Sequence, residues 1–179
     1  TSASLFEGIR VGDVQIIWEG RTYPILKAIK DTSTDIVYVK TGIQDLPVTS
    51  FVSSADIVTG LPVWLETEPG RLSPHVIIDV RERFSQLPMS SEKILHRYVI
   101  NGAFFSAAKG GNVWDARGQL IGMVEGGNAG GIRIIPASGI SEILASLTGR
   151  QEIRRATFGV VGIETAAMLP GFSDRLVPG

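Results

Sequence analysis

A chain of 179 residues with 44% hydrophobic content can bury a sizeable core, as one domain or two small subdomains. Its net charge of −1 supplies no basic face for nucleic acid, and the absence of cysteine excludes disulfides and thiol catalysis while leaving the cytoplasm and a bacterial envelope compartment equally open. No run approaches the roughly 18 apolar residues of a spanning helix, and no signal-peptide pattern opens the chain, so any membrane anchor is expected outside this stretch.

In chain order, short runs rich in Val, Ile, Tyr and Trp predict strands over 14–18, 22–30, 36–40, 62–66, 76–81, 97–100, 112–114, 120–125 and 131–135. Turn signals separate them: Glu19-Gly20, Asp31-Thr32-Ser33, Leu46-Pro47, Pro69-Gly70, Ala116-Arg117-Gly118 and Glu125-Gly126-Gly127-Asn128. This spacing predicts a sandwich or barrel. Ser90 to Arg97 reads as a loop or a single turn. A helix is predicted over 138–148, with Ile140, Ile143, Leu144 and Leu147 on one stripe, Ser138 as cap and Gly149 as stop. Trp18, Trp64 and Trp114 are expected to fill barrel interiors or cover their ends. Arg150, Arg154 and Arg155 are expected to serve the helix C-terminus or the surface, and the charged run from Asp79 to Arg83 reads as a solvated strand end.

Two segments carry a resemblance. Ala107-Ala108-Lys109-Gly110-Gly111 is followed by Asn112-Val113-Trp114-Asp115, Gly118-Gln119-Leu120-Ile121-Gly122-Met123, Gly126-Gly127, Ile135-Pro136 and the helix. This order resembles the nucleophile half of a trypsin-like protease of the HtrA/Deg type, where a Gly-Asn-Ser-Gly-Gly loop precedes a short strand, Val-Ile-Gly-Ile, a Gly-rich hairpin and Ile-Pro. Earlier, Glu19-Gly20-Arg21 and Thr34-Asp35-Ile36-Val37-Tyr38-Val39-Lys40 resemble the family's Asp-Gly-Arg turn and aspartate segment. Leu46-Pro47-Val48 and Gly60-Leu61-Pro62-Val63 match the stretch before its interbarrel linker. Thr1-Ser2-Ala3-Ser4 lies on its histidine segment.

The resemblance implies an all-β, trypsin-like pair of six-stranded antiparallel barrels with a C-terminal helix, the first barrel lacking its opening strands here. It divides the chain into a partial first barrel at 1–60, a second barrel with the helix at 61–148, and at 149–179 a linker and the start of a PDZ-like domain. It also implies that Ser4 occupies the histidine position, Asp35 the retained aspartate and Lys109 the serine. A serine hydroxyl needs a neighbouring base, and the aspartate only orients that base. A lysine amine is ordinarily protonated at neutral pH. The expected protein is therefore a catalytically inactive homologue that binds or regulates. Backbone N–H groups at Ala107, Lys109 and Gly110 could still form an oxyanion-hole-like loop. A peptide or protein partner is expected to pair with an edge at Gly130, Gly131 and Ile132 by β-augmentation, over a floor at 107–111, with Arg133 lining a pocket for an acidic side chain. By resemblance, a bacterial envelope location and a trimer are expected.

Alternatives stay open. One is an active endopeptidase with a rearranged nucleophile, such as a Ser106/Lys109 dyad; another is a purely structural assembly domain. The literal Ser106-Ala107-Ala108-Lys109 and Lys40-Thr41-Gly42 matches to the penicillin-binding S-x-x-K and K-T-G run in the wrong order for that family. His75 and His96 are 21 residues apart and lack ligand spacing, so they are expected to be structural. No metal or cofactor is expected.

Overall fold

The computed structural model describes residues 1–31, 34–82, 89–90, 96–150, 153 and 161–162. Three strands near the start, β1 (Gln15–Trp18), β2 (Arg21–Asp31) and β3 (Ile36–Thr41), form an antiparallel sheet in the order β1-β2-β3. Glu19-Gly20 makes the tight turn between the first two, both residues at positive φ (50° and 73°), the left-handed region that two-residue hairpin turns require.

The larger unit is a closed barrel of six antiparallel strands. Its members are β4 (Pro62–Glu68), β5 (Arg71–Glu82), β7 (Arg97–Ile100), β8 (Asn112–Trp114), β9 (Leu120–Asn128) and β10 (Gly131–Pro136), in the order β10-β7-β5-β4-β8-β9. Two-residue periodicity fills its interior: Val63, Leu65, Ile77, Ile100, Val113, Ile132 and Ile134 are essentially inaccessible to solvent and form one cluster. Burying each such side chain contributes about 2 kcal/mol. A closed barrel and one helix match the expected fold, with a separate three-stranded sheet beside them in chain order.

The same periodicity reverses one expectation. Trp64 lies between Val63 and Leu65, which point inward, so its ring faces outward beside Trp114 in the pairing register. Trp114 Nε1 donates to Glu66 Oε2 at 2.9 Å. The two indoles cover the outside of the barrel wall, and Trp18, 37% exposed on β1, lies outside the barrel altogether. Strand parity, which residue type does not encode, decides the face.

β9 is buried on both sides. Ile121 enters the barrel, whereas Met123 packs outward with Ile135, Ile140 and Ile36 in a second cluster. That cluster joins barrel, helix α1 (Ala137–Arg150) and first sheet. The barrel strands approach closely here, since a Cβ on Gly122 would collide with the Ile135 carbonyl. In α1, Ile140 and Ile143 are buried while Leu144 is 39% exposed, so the apolar stripe is narrower than expected. The helix begins one residue before Ser138, whose carbonyl accepts from Ser141 Oγ at 2.9 Å, and it runs past Gly149.

A two-stranded ribbon pairs β11 (Val161–Gly162) with β6 (Met89–Ser90). Most of the expected turn at 90–97, Arg83, Arg154, Arg155 and most of the PDZ-like segment lie outside the described residues.

Candidate functional site

Asp35 occupies the turn between β2 and β3. Its φ of 55° lies in the left-handed region, which aspartate tolerates better than most residues. Thr34 Oγ1 donates to the buried Asp31 carboxylate at 2.6 Å, and Asp35 O accepts from Ala3 N at 2.8 Å. The turn is thereby tied both to its own strand and to the first residues of the chain. Ser4 belongs by its backbone to the 3-10 turn Ala3–Phe6 that follows.

Facing this turn is the loop that carries Lys109. A 3-10 turn at Ser106–Ala108 is followed by hydrogen bonds from Lys109 N to Ser106 O (3.1 Å), Gly111 N to Ala108 O (3.0 Å) and Gly110 N to Val124 O (2.9 Å). Gly110 sits at φ 81°, and any side chain on Gly111 would meet the Glu66 carbonyl at 2.7 Å. Two adjacent glycines are therefore needed for the loop to close against β4 and β9. The N–H of Lys109 that the resemblance assigns to an oxyanion cradle is spent on Ser106 O.

The loop and the turn meet through their side chains. Lys109 Nζ lies 2.8 Å from Asp35 Oδ2, with the two side chains 33% and 35% exposed. Ser2 Oγ approaches the same carboxylate oxygen at 3.5 Å. Two of the three residues singled out from the sequence thus come into direct contact, and the contact is an ion pair. A cavity of about 310 Å³ opens beside it, lined by Glu66, Glu68, Lys109, Gly110, Gly111 and Asn112 among others.

The histidines are elsewhere. On β5, His75 Nδ1 lies 2.7 Å from Asn101 O, and its Nε2 lies 3.1 Å from Ser73 Oγ. A carbonyl can only accept, so Nδ1–H donates to Asn101 O, and the Ser73 hydroxyl also reaches Leu65 O at 3.3 Å. His96 is exposed and gives its carbonyl to Arg97 Nη1 at 3.3 Å. Among the described residues no three histidine, aspartate or glutamate side chains gather as a metal-binding set.

Of the edge expected at Gly130, Gly131 and Ile132, Ile132 is already paired on both sides. Barrel closure pairs Ile132 with Ile100 of β7 on one side and with Gly127 of β9 on the other. The open stretch is on β9. Up to Met123 that strand is covered by β8, Val124 is bonded to the Lys109 loop, and Asn128 O accepts from Phe104 N at 3.0 Å. Between these points, Gly126 and Gly127 have a strand partner on the β10 side alone among the described residues, and Glu125 has one on neither side. The register shifts here, so Glu125 has no opposite number on β10, the bulge geometry that often re-aims residues next to a site. The sequence carries a signal for this, since paired glycines inside a strand mark a bulge or a close backbone approach, although Glu125-Gly126-Gly127-Asn128 has the composition of a turn. Beneath the bulge, Arg97 and Glu125 form a two-pronged ion pair at 2.9 and 2.7 Å, with Arg97 fully buried.

No protein-family model and no curated protein matches the chain. Solved structures do. The HtrA-type protease AlgW with a decapeptide superposes with a TM-score of 0.65 at 23% identity, over 84% of this chain and 48% of its own. AlgW with a tripeptide gives 0.65 at 21%, over 86% and 52%. The fold is that of an HtrA-type protease domain. The Rv3671c protease from M. tuberculosis in its inactive form agrees, with a TM-score of 0.59 at 18% identity over 79% of this chain and 75% of its own. This chain spans about half the length of the AlgW chains. At these identities the likeness is one of fold, and what the cleft does must be argued from its own residues.

Proposed function

We propose that this HtrA-type domain is a peptide-binding or regulatory homologue that does not hydrolyse its ligand. The observation that carries the reading is the 2.8 Å contact between Lys109 Nζ and Asp35 Oδ2. Acyl transfer by this fold needs a hydroxyl, a base that takes its proton and a carboxylate that orients the base. If Lys109 stands at the nucleophile position, that position carries no hydroxyl, and the carboxylate is engaged by the lysine rather than by a base. The engagement of Lys109 N–H with Ser106 O further supports a resting loop without an oxyanion cradle.

What remains is a binding cleft. An extended peptide would add to β9 along Glu125, Gly126 and Gly127, since unpaired backbone groups at a sheet edge give affinity to any strand that fits them. The AlgW structures contain peptides, which agrees with a peptide ligand here. An envelope location, a trimeric assembly and a PDZ-like continuation beyond α1, which the family resemblance implies, are parts of the same proposal.

The test is fluorophosphonate labelling mapped by mass spectrometry, run with casein hydrolysis and an active HtrA-type protease as control. The expected result is silence in both assays while the control reacts. Labelling at Ser4 or Ser106 together with cleavage would overturn the proposal in favour of a rearranged active site.

A further inference from the structure

Arg133 is the one side chain among the described residues with a solvent-shielded polar atom that lacks a partner: its Nε meets no acceptor. Its surroundings give no relief. Arg133 pairs in register with Val99 and Gly126, and the nearby Glu125 is held by both prongs of Arg97. No ion pair reaches Arg133 among the described residues. A shielded guanidinium donor without an acceptor is unfavourable unless an acceptor arrives from outside.

The direction from which it would arrive follows from the register. Residues directly opposite on antiparallel strands project from the same face. Arg133 and Gly126 are such a pair, and a Cβ on Gly126 would stand 3.7 Å from Arg133 Nη2. The guanidinium therefore extends over the position that Gly126 leaves empty, toward the open side of β9. A strand added there would lie about 4.8 Å beyond Gly126, and its residue opposite Gly126 would project from this same face. Arg133, Gly126 and that ligand residue form one row across three strands. Glycine in the middle is what lets the outer two meet.

We infer that Arg133 is a specificity-determining residue and that the peptide bound along Glu125, Gly126 and Gly127 carries an aspartate or glutamate opposite Gly126. A planar guanidinium takes a carboxylate in paired, charge-assisted hydrogen bonds that a carboxamide cannot reproduce. The inference rests on the strand-addition reading above and narrows it to an acidic ligand.

A random heptapeptide pool passed over the immobilised domain, with retained peptides sequenced by mass spectrometry, tests both. Retention is expected, with aspartate and glutamate enriched at least fivefold at a single position. Arg133→Gln should retain peptides but lose that enrichment, and Arg133→Lys should recover part of it; circular dichroism checks that each variant is folded. Retention without a single acidic position, or enrichment that survives in Arg133→Gln, overturns the acid selection and leaves strand addition standing. No retention by the wild-type domain overturns strand addition itself.

Discussion

Lys109 and Asp35 are each about one-third exposed, so water and salt screen their attraction and the pair contributes less than about 1 kcal/mol to stability. Arg97 and Glu125 are the opposite case. Their side chains are 2% and 19% exposed and joined by two short bonds, so removing one charge strands the other in the protein interior. A double-mutant cycle on Lys109→Gln and Asp35→Asn, read by urea denaturation, should give a coupling below about 1 kcal/mol. Glu125→Gln alone should cost about 3 kcal/mol. Equal effects at the two pairs would mean that burial does not govern them. The weaker pair is nonetheless the informative one for function, because what it holds together is cheap to separate and chemically committed.

Among the elements, β9 and β10 show how far pattern reading goes. Short β-branched and aromatic runs marked every barrel strand, while the inward face of each is read from the closed sheet. Pattern did not reveal the outward turn of Trp64 and Trp114, since a tryptophan is apolar on either face. Nor did it locate the open edge: Gly126-Gly127 has the composition of a turn, and only the register with Arg133 and Ile132 makes it strand. Asp35 and Lys109 were legible through the family resemblance as separate positions, but their contact depends on tertiary closure of two distant loops. Glycine chemistry in these elements is directly testable. Gly122→Ala should cost about 3 kcal/mol, because the added methyl meets the Ile135 backbone. Gly139→Ala, with open space around it in α1, should stabilise by about 1 kcal/mol; melting curves of the two variants should move in opposite directions. Tyr98 of β7 offers a pH test. Burial raises its phenol above the ordinary 10.0, so the folded chain holds that proton more tightly than the unfolded chain. Its contribution is complete below pH 10 and is lost as pH rises through the higher folded value. Tyr98→Phe should flatten the alkaline fall of Tm; an unchanged slope would remove Tyr98 from the cause.

At the scale of the molecule, two of the contacts between the first sheet and the barrel side among the described residues differ in kind. The cluster of Ile36, Met123, Ile135 and Ile140 is apolar and indifferent to ionic strength. The Lys109–Asp35 bridge is not, since at 1 M salt the screening length shrinks to about 3 Å. The two parts are therefore joined by one contact that salt leaves alone and by one that it loosens. Raising salt should speed amide exchange in the loops around Asp35 and Lys109 while exchange at Ile36 and Ile135 stays slow; uniform protection would show that the bridge carries no mechanical role. The Lys109–Asp35 contact is a clasp, and the ion content of the surroundings sets how often it is undone.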